Sequence, residues 1–377
     1  MNTVDTLIKW PGGKAREIKY IENLIPKFER YIEPFFGGGA MYFYLNPENA
    51  IINDISSNLI TFYELVKDQN LEFAAYLRAY NTTFQNLLHA CDTSIDSLVE
   101  IYYKLKNKEI SSEEAKPLLM AFSSNLSKAI NDKIEAQLIL DNTDFENTLV
   151  EFALDKMLRT IKNEEKKAFN DADLRENLIT GFTSGYYMYF RSVYNKIALK
   201  SNEFTDQAYN IANFYFIREY CYGSMFRYNS KGEFNIPYGG MSYNRKDFKC
   251  KIDNIFNSNV KKLFSGTEIC CSDFEDFIVN HELTETDFMF LDPPYDTDFS
   301  EYEGKAFTKD DQRRLANVLK ETKAKFILII KNTDYIFSLY EQGFNVLCFD
   351  KTYTYNVRSR NERNVEHLII TNMEHQN

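Results

Sequence analysis

The sequence predicts an α/β protein in which a doubly wound sheet is interrupted by a largely helical insertion. Three observations carry this. Strand–turn–helix units open the chain, the same texture returns after about residue 265, and the stretch between them is poor in glycine and rich in amphipathic periods. At 377 residues, with 31 Phe and 26 Tyr, the chain can bury a substantial core.

Taken in order, Arg30 to Leu45 (RYIEPFFGGGAMYFYL) reads as a short strand, a triple-glycine turn and a helix. The run AIINDI is a second strand ending on Asp54, followed by a helix over Ser57 to Lys67 with Ser and Asn at hand as caps. From 68 to about 215, segments such as LEFAAYLRAYNTTFQNLLHACD and TLVEFALDKMLRTIKNEEKKAFN have helical periodicity. FRYNSKGEFNIPYGG then reads as a hairpin near 226–240, with aromatics flanking an Asn-Ser-Lys-Gly turn. After 265, GTEICCSDF is a strand ending on Asp273, DFMFLDPPY a strand ending on Asp292, TKDDQRRLANVLKETKA a helix, and KFILIIKN and EHLIITN further strands. The economical division is one sheet from 1–67 and 265–377, with 68–264 inserted; two independent domains is the other reading.

Composition removes several classes. No apolar run approaches the ~18 residues of a membrane span, and the first residues carry no signal-like apolar core. The six cysteines show no C-x-x-C spacing, which fits reduced, mostly buried thiols in a cytoplasmic protein. His89, His281, His367 and His375 form no H-E-x-x-H or other paired spacing, so no metal site and no Ser-His-Asp triad is expected. Net charge is −11, yet residues 223–263 hold eight Lys/Arg against three acids, while 134–176 hold eleven acids against six basic residues. The first segment is a candidate phosphate footprint, although a solvated lysine-rich surface would read the same way; the acidic one is expected to stay off phosphate.

In an open α/β sheet ligands gather at the carboxyl ends of the strands. Asp54, Asp273 and Asp292 sit at such ends, and Gly37-Gly38-Gly39 lets a ligand approach the backbone closely. Asp54 suits ribose hydroxyls, or a helix cap. Trp10, beside a Pro-Gly-Gly turn and Lys14, can stack on a base or pack as an ordinary indole. Asp292-Pro293-Pro294-Tyr295 is the sharpest signal. Two prolines freeze the backbone just after a buried strand and present a carboxylate, a carbonyl and an aromatic face. Those groups suit a planar heterocycle bearing an exocyclic amine.

Together these motifs resemble the Dam-type DNA adenine-N6 methyltransferases. The resemblance rests on Trp10 to Lys14, on Phe35-Phe36-Gly37-Gly38-Gly39, on Asp54, and on Asp292 to Tyr295, in that order. RSVYN (Arg191 to Asn195), Phe226 to Gly239, and a C-terminal segment with Arg358, Arg360 and Arg363 are similar to the family's DNA-facing and closing segments. It spans about 6–66 and 180–372, leaves 70–178 unmatched, and departs from the family at Cys221 to Arg227.

The resemblance implies a Rossmann-like methyltransferase sheet with an inserted DNA-recognition domain. It implies S-adenosylmethionine as cofactor, held by Trp10, Lys14, Phe35, Gly37, Gly39, Asp54, Asp273 and Asp292, with catalysis by Asp292, Pro293, Pro294 and Tyr295. It also implies double-stranded DNA as partner, contacted by Arg191, Asn195, Arg227, Asn229, Lys231, Arg245 and Lys246, with the enzyme either solitary or paired with a cognate restriction endonuclease as functional partner. Hydrogen bonds from both amine hydrogens, to Asp292 and the Pro293 carbonyl, would free the N6 lone pair, while Tyr295 stacks on a flipped base. RNA adenine or protein amide methylation, and a non-catalytic DNA-binding relict, are the alternatives. A nicotinamide dehydrogenase fits poorly, since the spaced glycine fingerprint is missing.

Overall fold

The apolar runs become strands because their side chains can be buried on both faces. In chain order they are β1 (Arg30–Glu33), β2 (Ala50–Asn53), β3 (Thr267–Cys270), β4 (Asp287–Leu291), β5 (Glu301–Tyr302), β6 (Lys305–Ala306), β7 (Lys325–Lys331), β8 (Asn345–Thr352) and β9 (Asn364–Thr371). The structure is a computed structural model describing residues 4–13, 17–131, 135–199, 206–225, 227–295, 301–302, 305–352 and 364–374. The chain forms two compact units, one of residues 1–68 and 257–377, the other of residues 69–256.

All nine strands found among the described residues lie in the first unit, a mixed α/β structure. Seven form one sheet in the order β3-β2-β1-β4-β7-β9-β8, while β5 and β6 pair separately. The first five strands of that order run parallel, whereas β9 runs antiparallel to both β7 and β8. The chain leaves β1 toward β2 on one side and reaches β4 on the other, so the order reverses between β1 and β4. At the opposite end of that pair, Arg30 and Asp287 are register partners. Their side chains meet through two hydrogen bonds of 2.9 and 2.7 Å, which fix the register.

Three sequence expectations change here. β3 stops at Cys270 rather than Asp273, because the side chain of Asn53 takes the Ser272 N–H and ends the ladder. Asp273 instead caps the helix Phe274–Asn280, accepting from Glu275 N. β8 is an additional strand, outside those the sequence predicts. The first unit also begins again at Asn257 instead of 265, because the helix Ser258–Ser265 packs on the helix Ser57–Lys67 and on β3, with Tyr63 and Phe264 stacked at 5.8 Å. The helix Ser57–Lys67 has the bounds its sequence gives, capped by Ser56 accepting from Leu59 N.

The second unit is helical: Leu71–Thr93, Ile95–Lys106, Ser112–Asn131, Asn142–Glu164, Asp171–Leu199, Gln207–Tyr220 and Phe248–Ile255. Its centre is aromatic, with Tyr80 stacked on Phe216 at 4.6 Å and Phe84, Tyr186, Phe190 and Tyr220 around them. The helices Asn142–Glu164 and Asp171–Leu199 approach closely, since a Cβ on Gly185 would lie 2.8 Å from the Cα of Leu149. No helix among the described residues is long and apolar enough to cross a membrane. Of the thiols described, fewer are buried than expected: Cys91 and Cys221 are buried, Cys270 is half-buried, and Cys250 and Cys271 are exposed.

Candidate active site

The carboxyl ends of β1 and β4 open into a cavity of about 840 Å³ within the first unit. That is near the upper end of the ~300–1,000 Å³ found for small-molecule sites. Trp10, Phe35, Gly37, Gly39, Asp54, Asp273 and all four residues of Asp292 to Tyr295 line it. The fold therefore brings together every described residue expected at a cofactor or catalytic position. Lys14 lies outside the described residues, as do Arg358, Arg360 and Arg363.

The glycine turn is built for contact. Gly37 has φ +50° and Gly39 φ +65°, backbone that side chains other than glycine rarely adopt. A Cβ on Gly37 would sit 2.8 Å from Trp10 Cδ1, and one on Gly39 2.6 Å from Phe36 Cζ. Trp10 thus packs against the turn while also lining the cavity. Asp54 holds the turn from the other side: one carboxylate oxygen accepts from Gly37 N and the other from Ser56 N, each at 2.9 Å. Burial pushes the Asp54 carboxyl up, and the N–H groups of Ser56, Gly37 and Ile55 hold it back down. Asp54 is not the cap of the following helix, a place taken by Ser56, but it keeps acceptor capacity for a ligand, because each carboxylate oxygen has a second lone pair.

Asp273 is similarly engaged. Arg314 reaches it at 2.6 Å and also grips Glu275 and Asp311 at 2.6 and 2.9 Å. The same guanidinium lies over the ring of Phe274, which forms an aromatic wall with Phe35 and Phe307. The Asp292 to Tyr295 turn is pinned from two elements. Gln312, fully buried on the helix Lys309–Glu321, donates to the Pro294 carbonyl at 2.9 Å. His367 on β9 meets the Tyr295 hydroxyl through Nε2 at 3.3 Å.

Sequence reasoning missed five residues here: Glu33, Asn53, Phe307, Gln312 and His367. Asn53 is the clip of the site. Its amide nitrogen donates to Pro34 O and Ser272 O, both at 3.0 Å, while its oxygen accepts from Ser272 N and Oγ at 2.9 and 3.1 Å. One side chain so ties together the ends of β1, β2 and β3. Glu33, buried at the end of β1, accepts from the Tyr31 hydroxyl at 2.8 Å. Burial pushes its carboxyl well above the usual range; the Tyr31 bond opposes this, and the charges of Asp292 and Asp54 push the same way. A polar residue at the end of a strand is the only sequence signal either carried, Asn53 after Ala-Ile-Ile and Glu33 after Tyr-Ile.

In the second unit, the expected hairpin is short. Tyr228 bridges Phe234, and Asn229 N donates to Glu233 O at 2.8 Å around the Asn-Ser-Lys-Gly turn. Its anchors are residues expected to face DNA. Asn195 exchanges two hydrogen bonds with the backbone of Phe234, Arg191 donates to Ile236 O, and the Asn229 oxygen accepts from Lys231 N and Glu233 N. The ammonium of Lys246 bonds to the Glu219 carbonyl and lies over the Tyr243 ring at 3.9 Å. Arg227 and Lys231 are exposed, and Arg245, also exposed, pairs with Glu176 at 2.9 Å.

The chain matches a family model described as D12 class N6 adenine-specific DNA methyltransferase over residues 10–149 and 143–355. The match runs through the helical stretch that the sequence motifs alone left unassigned. Its relatives include the retron Ec67 DNA adenine methylase of Escherichia coli, 36% identical over 88% of this chain and 78% of that protein. The Type II methyltransferase M.MjaIII of Methanocaldococcus jannaschii is 28% identical over 91% of this chain and 90% of its own length. The Type II methyltransferase M.CviBI of Paramecium bursaria Chlorella virus NC1A is 25% identical, over 97% and 98%.

Proposed function

The chain belongs to the D12 class of N6 adenine-specific DNA methyltransferases, and on that premise we propose that the cavity between β1 and β4 holds both S-adenosylmethionine and the target adenine. One observation carries the reading: the glycine turn and Asp292 to Tyr295 open onto one cavity at the point where the strand order reverses. The sheet is then the Rossmann-like core of a methyltransferase, and residues 69–256 are its inserted recognition domain.

The residues fit the cofactor chemically. A backbone turn that a Cβ would block, two carboxylates with spare acceptor capacity and an aromatic wall suit an adenosine carrying a charged amino-acid tail. Asp54 would take ribose hydroxyls, Asp273 and the Phe35, Phe274 and Phe307 rings the adenine, and Trp10 with Lys14 the remaining contacts. Bound there, S-adenosylmethionine supplies an electrophilic methyl group on a sulfonium.

The chain's own groups do the rest. Asp292 and the Pro293 carbonyl each accept a hydrogen bond from the target amine, whose lone pair is otherwise delocalised into the ring. Accepting both favours a pyramidal nitrogen and stabilises the positive charge that develops on it. Tyr295 offers a stacking face for an adenine extruded from the duplex, since the amine is out of reach inside the stack. Gln312 and His367 hold that turn still, so little ordering remains at the moment of reaction. Burial favours the protonated form of Glu33, which lessens like-charge repulsion on Asp292, the acceptor that would face the base.

On the second unit, Arg227, Lys231 and Arg245 are the candidate phosphate contacts, with Arg191, Asn195, Asn229 and Lys246 shaping the segment that presents them. Methylation at a defined site would also protect host DNA from a cognate restriction endonuclease in a cytoplasmic restriction–modification pair. The test is methyl transfer by the purified chain to duplex DNA in competition with RNA of the same sequence. N6-methyladenine confined to the duplex is expected; preferential labelling of RNA would contradict the reading.

A further inference from the structure

On the outer edge of the sheet, at β3 and beside its carboxyl end, three unlike ligating side chains converge. Glu268 and Cys270 are two residues apart on β3, so their side chains share a face of that edge strand. His281 follows the helix Phe274–Asn280 and turns back toward them. Glu268 Oε1, Cys270 Sγ and His281 Nε2 all lie within 4.8 Å of one another. The separate distances are 3.9 Å from sulfur to nitrogen, 3.8 Å from sulfur to Glu268 Oε1, and 3.7 Å from that oxygen to nitrogen.

A second observation points the histidine. Its Nδ1–H donates to the Phe277 carbonyl at 2.6 Å, and its ring packs on Phe277 at 4.6 Å. With Nδ1 carrying the proton, the lone pair of Nε2 faces the thiol and the carboxylate. Outer-sphere hydrogen bonds of this kind fix the tautomer of metal-bound histidines. We propose that Glu268, Cys270 and His281 form a zinc site with three protein ligands and a solvent-facing fourth position.

The geometry needs little adjustment. With Zn–S near 2.3 Å and Zn–N and Zn–O near 2.0–2.2 Å, tetrahedral angles put sulfur about 3.6 Å from each of the other two ligands, and nitrogen about 3.4 Å from oxygen. The pairs observed must close by only about 0.2–0.3 Å. Thiolate with imidazole selects a borderline-soft ion such as Zn²⁺ over Mg²⁺ or Ca²⁺. Glu268 keeps 61% of its side chain exposed and His281 22%, so metal and water can enter. Arg30, whose charge Glu268 also feels, is held in its bidentate pair with Asp287. The ligands bracket Asp273 and Phe274, two residues of the cavity wall, so an ion here would brace the segment that carries them.

The spacing hid this site from the sequence. Cys270 and His281 are eleven positions apart and match no C-x-x-C or H-E-x-x-H pattern, and the third ligand is a glutamate.

The test uses the full chain freed of metal with a chelator, then titrated with Zn²⁺ against a chromophoric competitor, and separately with Co²⁺. Expected are one equivalent bound, a Co²⁺ spectrum with a thiolate charge-transfer band and tetrahedral intensity, and a zinc-dependent rise in melting temperature. Cys270→Ser and His281→Gln should each weaken binding at least tenfold and abolish the cobalt signature. Glu268→Gln, a change at an exposed position, should weaken it less. Cys250→Ser and Cys271→Ser, at exposed thiols outside the cluster, should leave it unchanged. Absence of binding at micromolar zinc would overturn the site, as would binding that survives His281→Gln or is lost in Cys250→Ser or Cys271→Ser; the latter would mark adventitious thiol capture.

Discussion

Replacing Asn53 by alanine tests how the cavity is held open. The side chain makes four hydrogen bonds, one to the Pro34 carbonyl and three with Ser272, and joins three strand ends. In Asn53→Ala the buried Pro34 carbonyl loses this partner and water cannot readily replace it, which costs about 1–3 kcal/mol. The Ser272 groups are only half-buried and recover part of their loss by hydration, so the total should reach about 2–4 kcal/mol. Asn53→Asp is the sharper variant. It keeps the shape but turns a carboxylate oxygen toward two carbonyls, and should be at least as damaging. Trp10 is the only tryptophan of the chain and lines this cavity, so its fluorescence in a urea titration reports on the first unit. The midpoint should fall with the slope unchanged. S-adenosylmethionine affinity should fall at least tenfold, because Phe35 and Asp273 follow the residues that Asn53 ties down. A stability change within about 0.5 kcal/mol, the range of an ordinary surface substitution, together with unaltered affinity, would refute the clip.

Glu33 gives a pH dependence. Its folded carboxyl is held above the usual range by burial, so the native protein keeps a proton that the unfolded chain releases. Stability is therefore lost as pH rises past the ordinary glutamate value, by at most about 1.4 kcal/mol per pH unit until the folded value is passed. Glu33→Gln should match the parent near about pH 4 and exceed it increasingly toward neutrality; urea titrations in which it is less stable at every pH would refute this. Gly39→Ala should fold but bind cofactor poorly by calorimetry, since φ +65° adds about 1–2 kcal/mol of backbone strain and its Cβ collides with Phe36. His367→Phe keeps a ring beside Tyr295 but removes the nitrogen; kcat should fall by about threefold to tenfold, as for one hydrogen bond, with cofactor KM unchanged.

What could be read from the sequence was local. The glycine turn and the Asp292 to Tyr295 turn are written in consecutive residues, and so is the helix Ser57–Lys67 with its Ser56 cap. What could not be read depends on partners far along the chain. Asn53 acts on Ser272, Gln312 on Pro294 and His367 on Tyr295, and no spacing within one sequence announces such meetings. Asn195 and Asn229, expected from the resemblance to face DNA, also satisfy hairpin backbone that could not otherwise be paired, which no local pattern announces. β3 looked three residues longer than it is because a cysteine pair and a serine continue its pattern, and only the Asn53 side chain ends it.

The most direct test of the central claim is base-resolution sequencing of DNA from a methylation-free host expressing the chain, beside Asp292→Ala. The expected result is N6-methyladenine within one defined sequence context, absent with the variant although it is present as folded protein. Methylation that persists in Asp292→Ala, or no modified adenine despite folded protein that binds S-adenosylmethionine, would contradict the assignment of this cavity.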